Sequence, residues 1–226
     1  MRSIGILLFA SVCIAANTDG LKPRPSVTDY PARAVLPPME IGAKLLTPEE
    51  VRGAFVTGLD KDFLVIEVGL YPGAAKLDVD RDDFLLRVAG KDILRPADYK
   101  ALATAVQNAN TASPSDVTIY PTVGVGYGTG PGGYGRGTST SVGVGVGIGG
   151  AGGPRPASTD RDRKTMETEL SDKSLPEGPA AQPVAGYLYF PLPKKHRGVL
   201  YELEYVRGGD RARLNLGTWG GDAKSR

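Results

Sequence analysis

The chain has 226 residues, 41% of them hydrophobic and 23% charged, with 27 Lys and Arg against 25 Asp and Glu and a formal net charge of +2. That apolar content suffices for one ordinary domain with a real core, and a charge so near balance argues against a nucleic-acid binder, which should show a basic stripe. Glycine (31) and proline (18) are abundant, so part of the chain is loop or low-complexity sequence.

Taken in chain order, Arg2 is followed by an almost wholly apolar run over residues 4–16 and then by the polar residues 17–20. A short basic start, an apolar run and small residues before a polar switch describe a signal peptide over 1–16, cleaved after Ala15 or Ala16. The run is shorter than the ~20 residues of a spanning helix. The expectation is an exported protein, periplasmic or extracellular. The alternatives are a buried N-terminal helix or strand, and a lipid anchor on Cys13, before which residues 10–12 lack the leucine and the small residue of a lipobox. Cys13 is the single cysteine, so the cleaved chain would carry no disulfide and no reactive thiolate.

Residues 17–39 carry Pro23, Pro25, Pro31, Pro37 and Pro38 and are expected to be an extended lead-in with little regular structure. Ile41, Ala43 and Leu45 alternate, predicting a strand over 40–46. Thr47, Pro48 and Glu50 then supply an N-cap, a first-turn proline and a capping box for a helix over 48–55. Leu64, Ile66, Val68 and Leu70 share one face of a strand over 62–71. A further strand is expected over 82–88, with a turn at Gly90-Lys91. Tyr99, Leu102 and Val106 recur at helical spacing and predict an amphipathic helix over 97–109. A strand over 116–123 enters the glycine-rich segment 124–153. Residues 154–183 are charged, with Met166 and Leu170 four apart, and read as a solvated helix or a linker.

The C-terminal part is the best specified. A strand is expected over 184–193, then a hairpin turning at Gly208-Gly209. Numbering outward pairs Arg207 with Asp210, Tyr205 with Ala212, Leu203 with Leu214 and Tyr201 with Leu216, while Glu204 meets Arg213 on the opposite face. About seven alternating strands with short helices between them predict an all-β antiparallel sandwich, built from 40–123 and 184–226 around the insert and the charged segment.

Residues 63–93, "FLVIEVGLYPGAAKLDVDRDDFLLRVAGKDI", resemble the middle of a bacterial exported immunoglobulin-like domain family. "VAGYLYFPLP" and "YELEYVRGGDRARLNL" are similar to its closing strand and final hairpin. Secreted mycobacterial immunoprotective antigens share that fold. The turn "YPGAAK" and the glycine-rich insert depart from the family pattern. The resemblance implies an immunoglobulin-like sandwich acting as an extracytoplasmic binding or interaction module, with no shared catalytic residues to carry over.

Each candidate for chemistry has a plainer reading beside it. Residues 130–135 and 147–152 match G-x-G-x-x-G, but dense glycine produces such matches and neither opens a helix after a parallel strand. Asp78, Asp80 and Asp82 have the spacing of calcium ligands, yet Asp83 and Ala89 stand where an EF-hand needs glycine and glutamate, which leaves an acidic turn. His196, the single histidine, lies in a basic turn without a serine elbow to serve. A carboxylate-based hydrolase needs two close acids, whose separation sequence does not give. Glu202 and Glu204 read as the outer face of the hairpin, neutralised by Arg213. Tyr201 and Tyr205 share Leu203's face and are expected in the core, whereas Tyr187 and Tyr189 are candidates for an exposed interaction strip. Trp219 is expected to cover an open end of the sandwich.

In the glycine-rich segment Val142, Val144, Val146 and Ile148 share one parity, as do Val117, Ile119, Val123, Val125 and Tyr127. The stretches 118–128 and 138–149 are therefore best paired as two arms of one hairpin. Such a ribbon extends the sheet, self-assembles or enters a bilayer, where a strand needs about 9–11 residues. A glycine linker and a helical glycine zipper are the competing readings. The functional expectation is an exported, non-enzymatic module without a cofactor, binding an unidentified protein or envelope component. The alternatives are a membrane-inserting or self-assembling protein using the 117–149 hairpin, and a carboxylate-based hydrolase.

Overall fold

The computed structural model describes residues 20–74, 76–111, 117–121, 144–148 and 160–219. The expected signal peptide, Cys13 and Val142 lie outside those residues. In chain order the strands are β1 (Ala32–Leu36), β2 (Met39–Leu45), β3 (Phe63–Pro72), β4 (Leu77–Val79), β5 (Phe84–Val88), β6 (Asp92–Leu94), β7 (Val117–Pro121), β8 (Val144–Ile148), β9 (Gly178–Ala180), β10 (Val184–Pro191), β11 (Leu200–Arg207) and β12 (Asp210–Thr218). The helices are α1 (Pro48–Ala54), α2 (Tyr99–Thr111) and α3 (Asp160–Lys173).

Two four-stranded antiparallel sheets face each other, ordered β1-β2-β3-β10 and β12-β11-β5-β6. Between them lies the main core. Ile41, Leu64, Ile66, Val68, Leu188 and Phe190 come from the first sheet, and Phe84, Leu86, Tyr201, Leu203, Tyr205 and Leu214 from the second. The period of two explains this: alternate residues of a strand share a face. The architecture is thus mostly β, antiparallel and sandwich-like, as the alternation predicts.

The C-terminal hairpin has the predicted register from Arg207↔Asp210 to Leu203↔Leu214. A bulge between Tyr201 and Glu202 then sets Tyr201 opposite Gly217 rather than Leu216. α1 has the predicted capping box of Thr47 and Glu50. Trp219 is buried at the sandwich end, its indole N–H donating to the Leu46 carbonyl at 3.1 Å.

Three expectations need correction. The lead-in is not without regular structure, because β1 pairs with β2 from Ala32↔Ala43 to Leu36↔Met39. Pro37 and Pro38 occupy the turn between β1 and β2, and Pro23, Pro25 and Pro31 precede β1, so none of them interrupts this ladder. The helices are more than insertions. They cover the outer face of the first sheet, where Phe63, Val65 and Tyr189 meet Val51, Phe55, Leu102, Val106 and Leu170 in a second core. Of the two readings of the charged segment, the helix is the one present, over Asp160–Lys173, and it is not solvated all round, since it buries Leu170.

The other end of that outer face is closed by residues 20–31. Tyr30 is buried over Gly42 and Gly69, which pair across β2 and β3; a Cβ at either would run into its ring. Arg24 forks onto Glu67 at 2.8 and 2.7 Å and lies 4.5 Å from the Tyr30 ring centroid. The first sheet is therefore covered on both faces.

β7 and β8 form a separate antiparallel ribbon with Val117↔Ile148, Ile119↔Val146 and Pro121↔Val144 as partners. The predicted pairing of the two arms is present over these residues, with the aliphatic parity of one arm opposite that of the other. The rest of the glycine-rich segment lies outside the described residues.

Candidate functional site

Nothing among the described elements packs on the outer face of the second sheet, and that face is the candidate site. Alternation brings Leu200, Glu202, Glu204 and Val206 of β11 to it. The pairings add Arg211 and Arg213 from β12, Leu85 and Arg87 from β5, and Ile93 from β6. Leu200 is 55% and Ile93 50% exposed, large aliphatic side chains left in solvent.

At the centre stands Glu204, whose side chain is 1% exposed although its sheet face is open. Three arginines cover it. Arg87 Nε donates to Glu204 Oε2 at 2.6 Å, Arg213 Nε to Oε1 at 3.1 Å, and Arg211 Nε lies 3.4 Å from Oε1. Burial alone pushes the Glu204 carboxyl up. The hydrogen bonds and charges of Arg87 and Arg213 outweigh that and hold it below the usual carboxylate range. An ionised carboxylate without neighbouring cations would not remain buried. A glycosidase general acid needs the opposite shift, so Glu204 does not suit that role.

The predicted tyrosine strip is in another place. Tyr189 is buried, its hydroxyl donating to the Leu170 carbonyl at 3.1 Å, and burial raises its pKa. Tyr187 is half-buried, its ring 5.1 Å from that of Phe55. The face that Tyr187 and Tyr189 share lies under the helices. Both tyrosines line a cleft of about 250 Å³ between β10 and the segments flanking α2 and α3, with Tyr99, Ser174 and Arg81. Arg81 is held by Asp98 at 2.9 Å and Glu177 at 3.3 Å.

The aspartates of the proposed calcium turn are not brought together as ligands. Asp78 binds Arg207 at 2.7 Å, and Asp80 caps a 3-10 turn by accepting from the Asp82 N–H at 2.8 Å. No group of three Asp, Glu, His or Cys side chains able to hold a metal occurs among the described residues. His196 turns Nδ1 to the Pro193 carbonyl at 3.0 Å and stands 5.4 Å from the Trp219 ring. Val144 and Val146 lie in β8, which pairs with β7 and with neither sheet of the sandwich.

Sequence reasoning found the Glu204–Arg213 pair but not Arg87, which lies 117 positions from Glu204 and reaches it only through the β5–β11 pairing. Comparison with protein-family models, with curated proteins and with solved structures gives no match.

Proposed function

We propose that this chain is an exported, non-enzymatic interaction module, an immunoglobulin-like sandwich that docks a cell-envelope partner through the open face of its second sheet. One observation carries the reading. The first sheet is sealed by helices and lead-in, whereas the second presents Leu200, Ile93, Arg211 and Arg213 to solvent. Aliphatic and arginine side chains together on an uncovered face are the composition of a protein interface. Chain crossings between the sheets after β3, β6 and β10 support the immunoglobulin-like class. The apolar run of residues 4–16 supports export.

The test is a photocrosslinking residue placed at Ile93 or Leu200 in the producing cell. Val56, 98% exposed beside the helix layer, is the control. Adducts from positions 93 and 200 but not 56 are expected. Absence of adducts from all three, with the protein exported and folded, would refute docking at this face.

A second reading is favoured by the β7–β8 register. It sets valine and isoleucine opposite one another in a ribbon outside both sheets, as a membrane-inserting or self-assembling hairpin requires. Dye leakage from liposomes should then depend on residues 122–143; equal leakage after their removal rejects this reading.

A further inference from the structure

The open face has more cation than its central carboxylate uses. Arg87 and Arg213 give Glu204 hydrogen bonds from Nε alone, and Arg211 reaches it only as an ion pair at 3.4 Å. The paired Nη groups of all three, which give arginine its bidentate fit to a carboxylate, make no hydrogen bond to another described residue. Arg211 and Arg213 keep 59% and 52% of their side chains exposed. Arg95 stands exposed one residue beyond β6. Against these cations the face has Glu204, already enclosed, and Glu202.

We infer that Glu204 is a positioning residue: it holds the three arginines as a preformed receptor for carboxylates, and the face takes an acidic protein segment with apolar side chains between its acids. This rests on the docking reading above and names the chemistry of the partner. Anchoring long side chains beforehand removes the ordering cost that normally weakens exposed ion pairs. Leu200 and Ile93, on the same face, take the apolar side chains of the segment. A second copy of this chain does not fit face to face, because it would bring the same excess of arginine against itself. An anionic bilayer fits poorly too. Basic residues contribute about 1 kcal/mol each at such a surface, so a few of them give only weak binding.

The experiment uses the purified exported chain and four probes at physiological salt: a random glutamate–tyrosine copolymer, poly-L-glutamate, dextran sulfate, and vesicles containing phosphatidylglycerol. The copolymer should bind most tightly. Arg211→Gln should weaken it about 3- to 10-fold, and Ile93→Ser should weaken the copolymer but not poly-L-glutamate. Arg211 gives Glu204 no hydrogen bond and Ile93 is half-exposed, so both variants should keep the parent melting temperature, which is measured alongside. Dextran sulfate or vesicles binding as tightly as the copolymer would overturn the inference in favour of a general polyanion or membrane surface. Copolymer binding unaffected by both variants would overturn it as well, as would no copolymer binding at all. If crosslinks still form from Leu200 in that case, the docking face stands and only the acidic partner is rejected.

Discussion

Glu169 shows how one side chain ties distant parts of the chain together. Its carboxylate accepts from the Val56 N–H at 2.8 Å, the Thr57 N–H at 3.0 Å and the Thr57 hydroxyl at 2.7 Å, and it pairs with Lys173 at 2.9 Å. Lys173 in turn donates to the Ala54 carbonyl, so α3 is fastened to the end of α1. Burial raises the Glu169 pKa, but these hydrogen bonds outweigh it and bring it from 4.5 down to about 2. A depressed carboxylate pKa contributes stability that is complete above the unfolded value and is lost as pH falls toward the folded one. Stability should therefore decline between about pH 4.5 and 2 through this group. Glu169→Gln should cost about 1–2 kcal/mol at pH 7, allowing for solvent screening, and should flatten that acid limb. Urea titrations of both proteins from pH 2 to 7 check this; parallel acid limbs would rule out Glu169 as the source.

At the scale of elements, the lead-in is a strap held by shape. Gly20 and Leu21 donate to the Asp172 and Ala185 carbonyls at 2.8 and 2.7 Å, and Tyr30 fills the space above Gly42 and Gly69. Gly69→Ala should force the ring out and cost about 1–3 kcal/mol, with faster amide exchange at Gly20 and Leu21. Tyr30→Phe should be tolerated, because the buried hydroxyl has no hydrogen-bond partner among the described residues. Unchanged exchange in Gly69→Ala would show that the strap does not depend on this contact. The same elements show what sequence can and cannot convey. The C-terminal hairpin is legible because turn glycines, alternation and opposite charges agree on one register. β1 is hidden by prolines that serve the turn, and β6 is only Asp92–Leu94, too short for a period to emerge. Parity separates Tyr187 and Tyr189 from Leu188 and Phe190, but it does not say which face a helix later covers. For that reason the tyrosines suggest a surface, and the actual open face is legible only through its Glu204–Arg213 pair.

At the scale of the molecule, the two cores share strands. β3 gives Leu64, Ile66, Val68 and Leu70 to the sandwich and Phe63 and Val65 to the helix layer; β10 gives Leu188 and Phe190 to one and Tyr189 to the other. Neither core can dissolve without exposing the back of strands the other needs, so the described body should unfold as one cooperative unit. Trp219, the single tryptophan, is buried at the sandwich end and reports on that core. Circular dichroism near 222 nm reports mainly on the helices. The two signals should trace one coincident urea transition. Leu203→Ala in the sandwich and Leu102→Ala in α2 each remove a fully packed side chain and should cost about 2–5 kcal/mol. Each should move both signals to the same lower midpoint, although the side chains lie on opposite faces of the first sheet. If Leu102→Ala shifts only the helical signal and leaves the Trp219 transition in place, the helix layer is a separate folding unit. The sandwich would then keep its docking face without that layer.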